Sequence, residues 1–275
     1  MTTPDRPRIV ITSDLDQTLV FSPRASARVG GALPAHPVDV IDGRVVGELA
    51  DAVAAGLGAL PTASAFVPAT TRTAAQLRRL RLPIAYRHAV VANGGVVLVD
   101  GEPDPAWAAR RRRAHNGAAS VRQACGLLTA LADQPWLLRV CRAEDIFAYA
   151  IVDPGALDPQ TLARIAESCA DIGWRSVLHG RKLYVLPANL DKASAVRYLL
   201  GRLANESGRP LRHLAAGDTS LDRAMVCAAH AGWAPAGSPL ASLALPSSVR
   251  VTRHPGHRAA AQIVTSWRAE ARAHG

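Results

Sequence analysis

Two carboxylates stand directly after an apolar, strand-like segment near the start of the chain. Residues 9–13 favour an extended strand, and Asp14 and Asp16 follow it two positions apart. In extended chain, side chains at positions i and i+2 point to the same side, so both acids face whatever lies beyond the strand end. Burying two acids there costs several kcal/mol unless a cation or a reaction needs them. We therefore predict a reactive pair at this strand end; the alternative is a strand followed by a solvated acidic turn.

The composition is typical of a globular protein. A chain of 275 residues with 49% hydrophobic residues can bury a full core. No apolar run approaches the roughly 20 residues that span a bilayer, and Met1–Arg8 does not resemble a signal peptide. We expect a cytoplasmic protein with no membrane partner. Widely spaced cysteines favour reduced, packed thiols over a zinc site or a disulfide framework: Cys125, Cys141, Cys169 and Cys227.

The net charge of +10 comes almost entirely from arginine, since Lys182 and Lys192 are the only lysines. A basic chain suggests nucleic acid as one possible partner. However, the densest run, Arg110–Arg113, lies in a helix-like segment beside Trp107 and is better explained as a solvated helix face. No basic strand interleaved with aromatic residues offers a platform on which bases could stack. We expect no nucleic-acid partner; the charge is compatible with attraction of a phosphorylated substrate.

The first hundred residues alternate between strand-like and helix-like patterns. Such alternation is typical of a doubly wound parallel sheet. Residues 22–37 are rich in Pro, Gly and Arg and carry no predicted element. After them the sequence predicts a hairpin over 38–46 with an Asp42-Gly43 turn, a helix ended by Pro61, a strand over 63–68, a helix ended by Pro83, and a strand over 89–92.

From about residue 100 the pattern becomes helical segments each followed by two strands, and from Asp191 the strand–helix alternation returns. We therefore expect an α/β protein whose doubly wound parallel-sheet core comprises residues 1–100 and 188–275, with an α+β domain inserted over residues 101–187. The predicted elements of the insertion are helices over 105–115, 118–132 and 159–172 and strands over 136–141, 146–152, 175–179 and 182–186. Those that follow are a helix over 191–204, strands over 211–216 and 249–252, and a helix from about 258.

Four groups of polar residues fall at the predicted strand ends or helix starts. They are Asp14-Leu15-Asp16-Gln17-Thr18, Thr70-Thr71-Arg72, Lys192, and Gly217-Asp218-Thr219-Ser220-Leu221-Asp222. Their types and order resemble the motifs of the haloacid dehalogenase (HAD) superfamily of phosphatases. This resemblance implies a Rossmann-like core. The long gap between Thr70 and Lys192, together with the Asn93-Gly94-Gly95 turn, is similar to the Cof-like and sucrose-phosphatase-like branch, which inserts a type-2 α/β cap there.

The resemblance implies a Mg²⁺-dependent phosphomonoester hydrolase that acts on a small phosphorylated metabolite, such as a sugar phosphate. Asp14 would attack phosphorus and form an aspartyl-phosphate, and Asp16 would act as general acid and then as general base. Lys192 would supply positive charge to the nucleophile and the transition state. The metal would be held by Asp14, by Asp16 through its backbone carbonyl and by Asp218, with Asp222 orienting metal-bound water or Lys192.

The resemblance implies further residues that bind the phosphate or shape the loops around it: Thr18, Thr70, Thr71, Arg72, Asn93 and Gly94. Two positions depart from the usual pattern. Thr71 stands where this branch often has glycine, and Leu221 where asparagine is common. In this branch the cap closes over the leaving group, so the inserted domain is expected to select the substrate.

Two other functions remain open at this stage. A HAD-type phosphomutase or phosphotransferase would share the aspartyl-phosphate, but mutases of the superfamily often carry small helical caps, whereas the insertion here is larger and mixed. A non-catalytic HAD-like module would bind a phosphorylated ligand or a protein partner. The complete set of acidic residues and Lys192 argues against that function.

Overall fold

The computed structural model describes residues 7–29, 33–115 and 119–274. Fifteen strands are assigned in these ranges. In chain order they are β1 (Ile9–Ser13), β2 (Val20–Phe21), β3 (Ala35–Ile41), β4 (Arg44–Ala50), β5 (Ser64–Pro68), β6 (His88–Val91), β7 (Val96–Val99), β8 (Glu102–Pro103), β9 (Leu137–Ala143), β10 (Phe147–Val152), β11 (Trp174–His179), β12 (Lys182–Pro187), β13 (Arg212–Ala216), β14 (Ala231–Ala234) and β15 (Val249–Val251).

Nine α-helices accompany the strands within the same ranges, together with short 3₁₀ turns at Ala92–Gly94 and Leu240–Ser242. The helices are α1 (Pro23–Val29), α2 (Asp51–Gly58), α3 (Ala74–Arg79), α4 (Pro105–Ala114), α5 (Val121–Thr129), α6 (Pro159–Asp171), α7 (Lys192–Ser207), α8 (Arg223–Cys227) and α9 (Gly256–His274). Across the described part of the chain, no helix combines the length and apolar character needed to cross a membrane.

The chain divides into two compact units, one of residues 1–104 with 191–275 and one of residues 105–190. The sequence pattern had set the limits of the inserted segment at residues 101 and 187. The first unit contains a five-stranded sheet in the order β15-β14-β13-β1-β5, with every neighbouring pair parallel. This confirms the α/β class and the parallel-sheet core.

Strand β1 lies in the interior of this sheet, paired with β13 on one side and β5 on the other. All five of its residues are buried, as expected for a parallel strand that is covered on both faces. The chain leaves the sheet at Asp14, whose backbone N–H donates to the carbonyl of Ala216 at the end of β13 (2.9 Å). The first carboxylate of the Asp14 and Asp16 pair is thereby fixed between two strand ends.

Two small antiparallel sheets complete the first unit, in the orders β2-β4-β3 and β6-β7-β8. The predicted hairpin is present: Asp42 (φ 48°) and Gly43 (φ 73°) form its two-residue turn, with both residues in the left-handed region that such hairpin turns use. The strand expected near residues 89–92 is also present as β6. It pairs with β7, however, and is linked to the segment after β5 by a bridge between Ala69 and Val90 and by the Thr70 N–H, which donates to the carbonyl of Val90 (2.8 Å).

The sequence pattern predicted no element at five places in the first unit, which became β2, α1, β7, β8 and β14. Two of them show why. Helix α1 occupies part of residues 22–37, where no element was predicted; it has only seven residues and a single buried one, Ala25. Strand β14 has the sequence Ala-Gly-Trp-Ala, which lacks β-branched residues. Its extended conformation depends on pairing with β13 and β15, which a local pattern does not reveal.

The second unit is an antiparallel sheet in the order β11-β12-β10-β9 with helices packed against it: α5 contacts β9 and β10, and α6 contacts β11. This confirms the α+β insertion. A capping box between Ser120 and Gln123 begins α5, and the start predicted for this helix, residue 118, lies outside the described residues. The arginine run lies on α4 with Arg110, Arg112 and Arg113 exposed, and all four cysteines are free thiols.

Candidate active site

A buried lysine joins two carboxylates at the carboxyl edge of the parallel sheet. Lys192 Nζ donates to Asp14 Oδ1 and to Asp222 Oδ1, both at 2.6 Å. The side chains of Lys192 and Asp222 are each 1% exposed, and that of Asp14 is 7% exposed. Lys192 is the first residue of α7, a helix capped by Asp191, whose carboxylate accepts from the Ser194 backbone N–H (2.6 Å). The helix start therefore places the ammonium group between the ends of β1 and β13.

A third carboxylate, Asp218, completes this group, which we call the buried acidic cluster (Asp14, Lys192, Asp218 and Asp222). One carboxylate oxygen from each of its three aspartates lies within 4.8 Å of the others. The Thr18 hydroxyl stands 3.5 Å from both Asp14 Oδ2 and Asp218 Oδ1. The cluster thus holds three carboxylates and one ammonium group almost out of contact with water.

The charge imbalance and the burial shift the pKa values of the cluster. The pKa of Asp14 is raised to about 7, chiefly by burial and also by nearby Asp222 and Asp16, against the opposing effect of Lys192. Burial and the charges of Asp14 and Asp222 likewise raise the pKa of Asp218 well above its usual value. For Lys192, burial alone would lower the pKa, but attraction to Asp14 and Asp222 outweighs it and the pKa is raised.

The surplus negative charge and the oxygen-only donor set fit a hard divalent cation such as Mg²⁺. Carboxylate oxygens of Asp14, Asp218 and Asp222 lie close enough together to hold one ion. The Asp16 side chain is not part of this group among the described residues; its expected contribution to the metal is through its backbone carbonyl. A cation would compensate the charge that Lys192 leaves unbalanced.

The loop that carries Asp218 is shaped by Asp222. The carboxylate oxygen Oδ2 of Asp222 accepts from the backbone N–H groups of Thr219 (3.0 Å) and Asp218 (3.3 Å) and from the Thr219 hydroxyl (2.8 Å). Gly217 makes this fold possible, because a Cβ atom there would stand 2.3 Å from Asp222 Cβ. The loop keeps these contacts although Leu221 replaces the usual asparagine.

The Asn93-Gly94-Gly95 turn packs against the start of α7. Asn93 (φ 55°) and Gly94 (φ 93°) have left-handed backbone conformations. A Cβ atom on Gly94 would lie 2.1 Å from the carbonyl oxygen of Asp191, so only glycine allows this approach. The turn also reaches the loop after β5, since the Asn93 N–H donates to the carbonyl of Thr70 (2.9 Å). The structure therefore places Asn93 and Gly94 where they support the residue that precedes Lys192.

Asp16 takes part in a different set of contacts, the arginine–carboxylate network (Asp16, Arg72, Asp39 and Arg79). Arg72 binds both oxygens of Asp16, with Nη2–Oδ1 at 2.7 Å and Nε–Oδ2 at 2.9 Å. Its remaining nitrogen, Nη1, donates to Asp39 Oδ2. Thr70, buried at the end of β5, accepts from the Arg72 backbone N–H (3.1 Å), and Thr71 lies between them in the same loop.

Sequence reasoning missed two members of this network, Arg79 and its buried partner Asp39. Asp39 lies on β3, with its side chain 1% exposed, and it also accepts from Arg79 Nε (2.7 Å). Burial by itself would raise the pKa of Asp39, but hydrogen bonds from Arg79 and Arg72 outweigh it and the pKa is lowered. A carboxylate between two apolar strand residues, Val38 and Val40, was the available signal in the sequence.

The comparison with a family model and the comparison with solved structures both find phosphatases. The family model described as sucrose-6F-phosphate phosphohydrolase matches residues 163–234. No curated protein sequence matches the chain at a significant level. Among solved structures, the sucrose-phosphatase of Synechocystis, in complex with sucrose and phosphate, superposes with a TM-score of 0.65 at 18% identity, covering 95% of this chain and 98% of that one.

Two further structures extend this result. The C-terminal domain of trehalose-6-phosphate phosphatase from C. albicans has a TM-score of 0.65 at 12% identity, with 95% of this chain and 92% of that chain covered. A HAD-superfamily phosphatase from Bacteroides thetaiotaomicron has a TM-score of 0.54 at 15% identity, with 97% of each chain covered. The chain therefore has the fold of the HAD phosphatases and, over residues 163–234, the sequence pattern of the sucrose-phosphatase family, which confirms the resemblance that its motifs indicated.

Proposed function

We propose that this chain is a Mg²⁺-dependent phosphomonoester hydrolase that acts on a small phosphorylated sugar through an aspartyl-phosphate. The observation that carries this proposal is the buried acidic cluster, in which three carboxylates share a single ammonium group. Burying uncompensated charge costs folding free energy, so a module that only provided a scaffold would gain nothing from it. A reaction that brings in a cation and a phosphate gives this arrangement a use.

Asp14 is the nucleophile in this proposal. One of its carboxylate oxygens forms a bond to phosphorus while the ester bond between phosphorus and the alcohol oxygen breaks. Lys192, bound to Asp14 Oδ1, holds the carboxylate in one orientation and offsets charge that develops in the transition state. Bound Mg²⁺ supplies the positive charge that lets a phosphate dianion approach this acidic site.

Asp16 moves the protons. It donates one to the leaving alcohol oxygen and later removes one from the water that attacks the aspartyl-phosphate, which frees Asp14 and releases inorganic phosphate. Both of its oxygens are bound to Arg72, so one must be released before Asp16 can reach the leaving group. The Asp16 side chain is 43% exposed, which leaves room for that movement. Arg72 then acts as the group that orients Asp16 between turnovers.

The sugar phosphate class is supported by what the related proteins are called. The matching family model is named for sucrose-6F-phosphate, and two of the structural neighbours are named for sucrose and trehalose phosphates. The selection of the substrate by the inserted unit, residues 105–190, stays a prediction.

The proposal is tested by the hydrolysis of p-nitrophenyl phosphate in the presence of Mg²⁺, in the presence of EDTA, and by the Asp14→Asn variant. We expect turnover that requires Mg²⁺ and falls by at least about 1,000-fold in Asp14→Asn, because the nucleophile is lost while the shape of the side chain is kept. Asp42→Asn, in the exposed hairpin turn, is the matched control and should retain full activity. Full activity of Asp14→Asn would contradict the mechanism.

The intermediate and the substrate class need separate measurements. In Asp16→Asn, rapid quenching followed by mass spectrometry should find one phosphoryl group on the peptide that contains Asp14, because hydrolysis of the aspartyl-phosphate lacks its base. Rates with sucrose 6-phosphate and trehalose 6-phosphate should exceed those with glycerol phosphate and phosphoserine. Faster hydrolysis of the two non-sugar esters would contradict the sugar phosphate assignment while leaving the phosphatase assignment intact.

A further inference from the structure

A basic depression lies at the amino-terminal edge of the parallel sheet, within the first unit. It has a volume of about 540 Å³. Five of its seven lining residues are Arg or His and none of the seven is acidic. The lining residues, which define the basic depression, are Arg8, Arg209, Pro210, Leu211, Arg212, His230 and His274.

The basic depression is separate from the catalytic edge. Arg8 directly precedes β1, whereas Asp14 directly follows it. At about 3.3 Å per residue, the six steps along this strand separate the two positions by roughly 20 Å. Arg212 begins β13 and His230 directly precedes β14, so both also lie at the starts of parallel strands. A phosphate bound by the catalytic carboxylates would not reach these side chains.

The strand pairing holds the basic side chains together. The Arg212 backbone N–H donates to the carbonyl of Arg8 (2.9 Å), which joins the segments before β1 and at the start of β13. The His230 N–H donates to the carbonyl of His213 (2.9 Å), and His230 Nδ1 accepts from the His213 N–H (3.0 Å). Because Nδ1 is the acceptor, Nε2 carries the proton of the neutral ring and is available as a donor.

Basic side chains predominate in the lining of the basic depression. Glu270 accepts from Arg212 Nη2 (2.8 Å) and from Arg250 Nη1 (3.3 Å), and its Oε2 lies 3.7 Å from Nδ1 of His274, another lining residue. Two arginines and His274 thus share one carboxylate, and the Nε of Arg212, which is buried, has no acceptor among the described residues. Guanidinium groups have further donors in the fixed planar arrangement that suits phosphate oxygens.

We propose that the basic depression binds a small ligand with at least two negative charges on a phosphate or diphosphate group. Its volume is within the range of small-molecule sites. Pro210 and Leu211 add apolar surface that an organic group attached to the phosphate would contact. The shared chemistry is the phosphoryl group; the ligand is either inorganic or a phosphorylated metabolite. This site does not depend on the proposed hydrolase activity.

Isothermal titration calorimetry tests this site, with pyrophosphate and glucose 6-phosphate as probes at constant ionic strength. EDTA is included to remove divalent cations. Without them the buried acidic cluster repels anions, and hydrolysis of the probes is prevented. The test variant is Arg8→Ser/Arg209→Ser, and the matched control is Arg112→Ser/Arg113→Ser, which removes the same charge from an exposed helix face. We expect the Kd for at least one probe to rise about tenfold or more in the test variant and to stay within about twofold in the control.

The two probes distinguish the sources of the ligand. Tighter binding of pyrophosphate supports an inorganic or diphosphate ligand, and tighter binding of glucose 6-phosphate supports a phosphorylated metabolite that also uses the apolar lining. Equal loss in both double variants would overturn the site, because it would show only the effect of net charge. If neither probe binds to the wild-type protein, the proposal is overturned too. The same holds if the test variant loses affinity for a DNA duplex but keeps its affinity for both probes. An unchanged far-ultraviolet circular dichroism spectrum and an unchanged urea unfolding midpoint establish that the test variant is folded, whether or not the protein is a hydrolase.

Discussion

The two charged groups at the carboxyl edge of the sheet differ in how their charges are balanced. The buried acidic cluster has three carboxylates and one ammonium group, and burial raises the pKa of Asp14 to about 7. The arginine–carboxylate network has two carboxylates and two guanidinium groups, and the pKa of Asp39 is lowered although its side chain is as deeply buried as Lys192. Similar residue types at the same edge thus produce opposite shifts in carboxylate pKa.

This difference in charge balance distinguishes a group of residues that can bind ligands and react from one that stabilises the surrounding loops. Where carboxylates and cations are equal in number, the charges are balanced within the chain and the group can hold loops in place. Where carboxylates outnumber cations, the folded state bears an electrostatic cost that a metal ion and a phosphoryl group can relieve. The comparison therefore assigns ligand binding to the buried acidic cluster, and the positioning of Asp16 and the hairpin to the arginine–carboxylate network.

The largest expected effect comes from removing the only cation of the buried acidic cluster. Lys192→Met should destabilise the metal-free protein by about 3–5 kcal/mol, because it leaves three buried carboxylates without a balancing positive charge. Urea unfolding in EDTA measures this loss. The control is Lys182→Met, which removes the chain's other lysine, an exposed one. Equal unfolding midpoints for the two variants would show that Lys192 contributes no more than a surface lysine.

A second test uses the raised pKa of Asp14. In the metal-free protein the pKa of Asp14 is about 7 in the folded state against 3.8 as the reference value, so the native state keeps a proton that the unfolded state loses. The stability from this group is fully present below about pH 4 and is lost as pH rises to 7, by at most about 1.4 kcal/mol per pH unit. Mg²⁺ should remove this loss, because it favours the charged carboxylate.

Urea unfolding at pH 5, 6 and 7 in EDTA, with wild type and Asp14→Asn, measures how the free energy of unfolding changes with pH. The difference between the two proteins is needed because burial, assisted by His230, lowers the pKa of His213 to about 4. A histidine with a lowered pKa acts in the opposite direction: its contribution to stability rises with pH between about 4 and 6.5. Identical slopes in the two proteins would contradict the assignment to Asp14.

Much of the first unit was predictable from local patterns. Strand β1 is a continuous apolar run, as a doubly covered parallel strand requires, and the hairpin turn carries the Asp-Gly pair that its left-handed backbone favours. Lys192 was noticeable because the chain otherwise uses arginine. The order of the motifs, and not any one of them, indicated that these positions converge.

The pairing within the arginine–carboxylate network was not predictable in this way. Arg72 meets Asp39 and Asp16 across 33 and 56 positions of sequence, and the contact with Asp39 depends on where the β3–β4 hairpin packs. The packing of Gly94 against Asp191 depends likewise on the tertiary position of α7. Local sequence patterns give the type of an element, whereas such contacts follow from how several elements meet.

A third prediction concerns the balanced network. Asp39→Asn removes the carboxylate shared by Arg72 and Arg79 and should destabilise the protein by about 1–3 kcal/mol, since a buried charged hydrogen-bond acceptor is lost. Turnover of p-nitrophenyl phosphate should fall much less than in Asp14→Asn, because Asp39 only supports Arg72. Asp42→Asn, in the same hairpin, should leave the unfolding midpoint unchanged. A loss of turnover as large as that of Asp14→Asn would assign Asp39 to the reaction itself.

The smallest effect is expected for Arg79→Ala. This change leaves two carboxylates and one guanidinium group, which makes the network resemble the buried acidic cluster in its charge balance. The Arg79 side chain is 38% exposed, however, so water replaces much of its interaction and the loss of stability should be below about 1 kcal/mol. Urea unfolding against Arg81→Ala, at a neighbouring exposed arginine, measures it. A loss as large as that of Lys192→Met would show that charge imbalance alone sets the cost; a small one shows that imbalance becomes costly where burial excludes water.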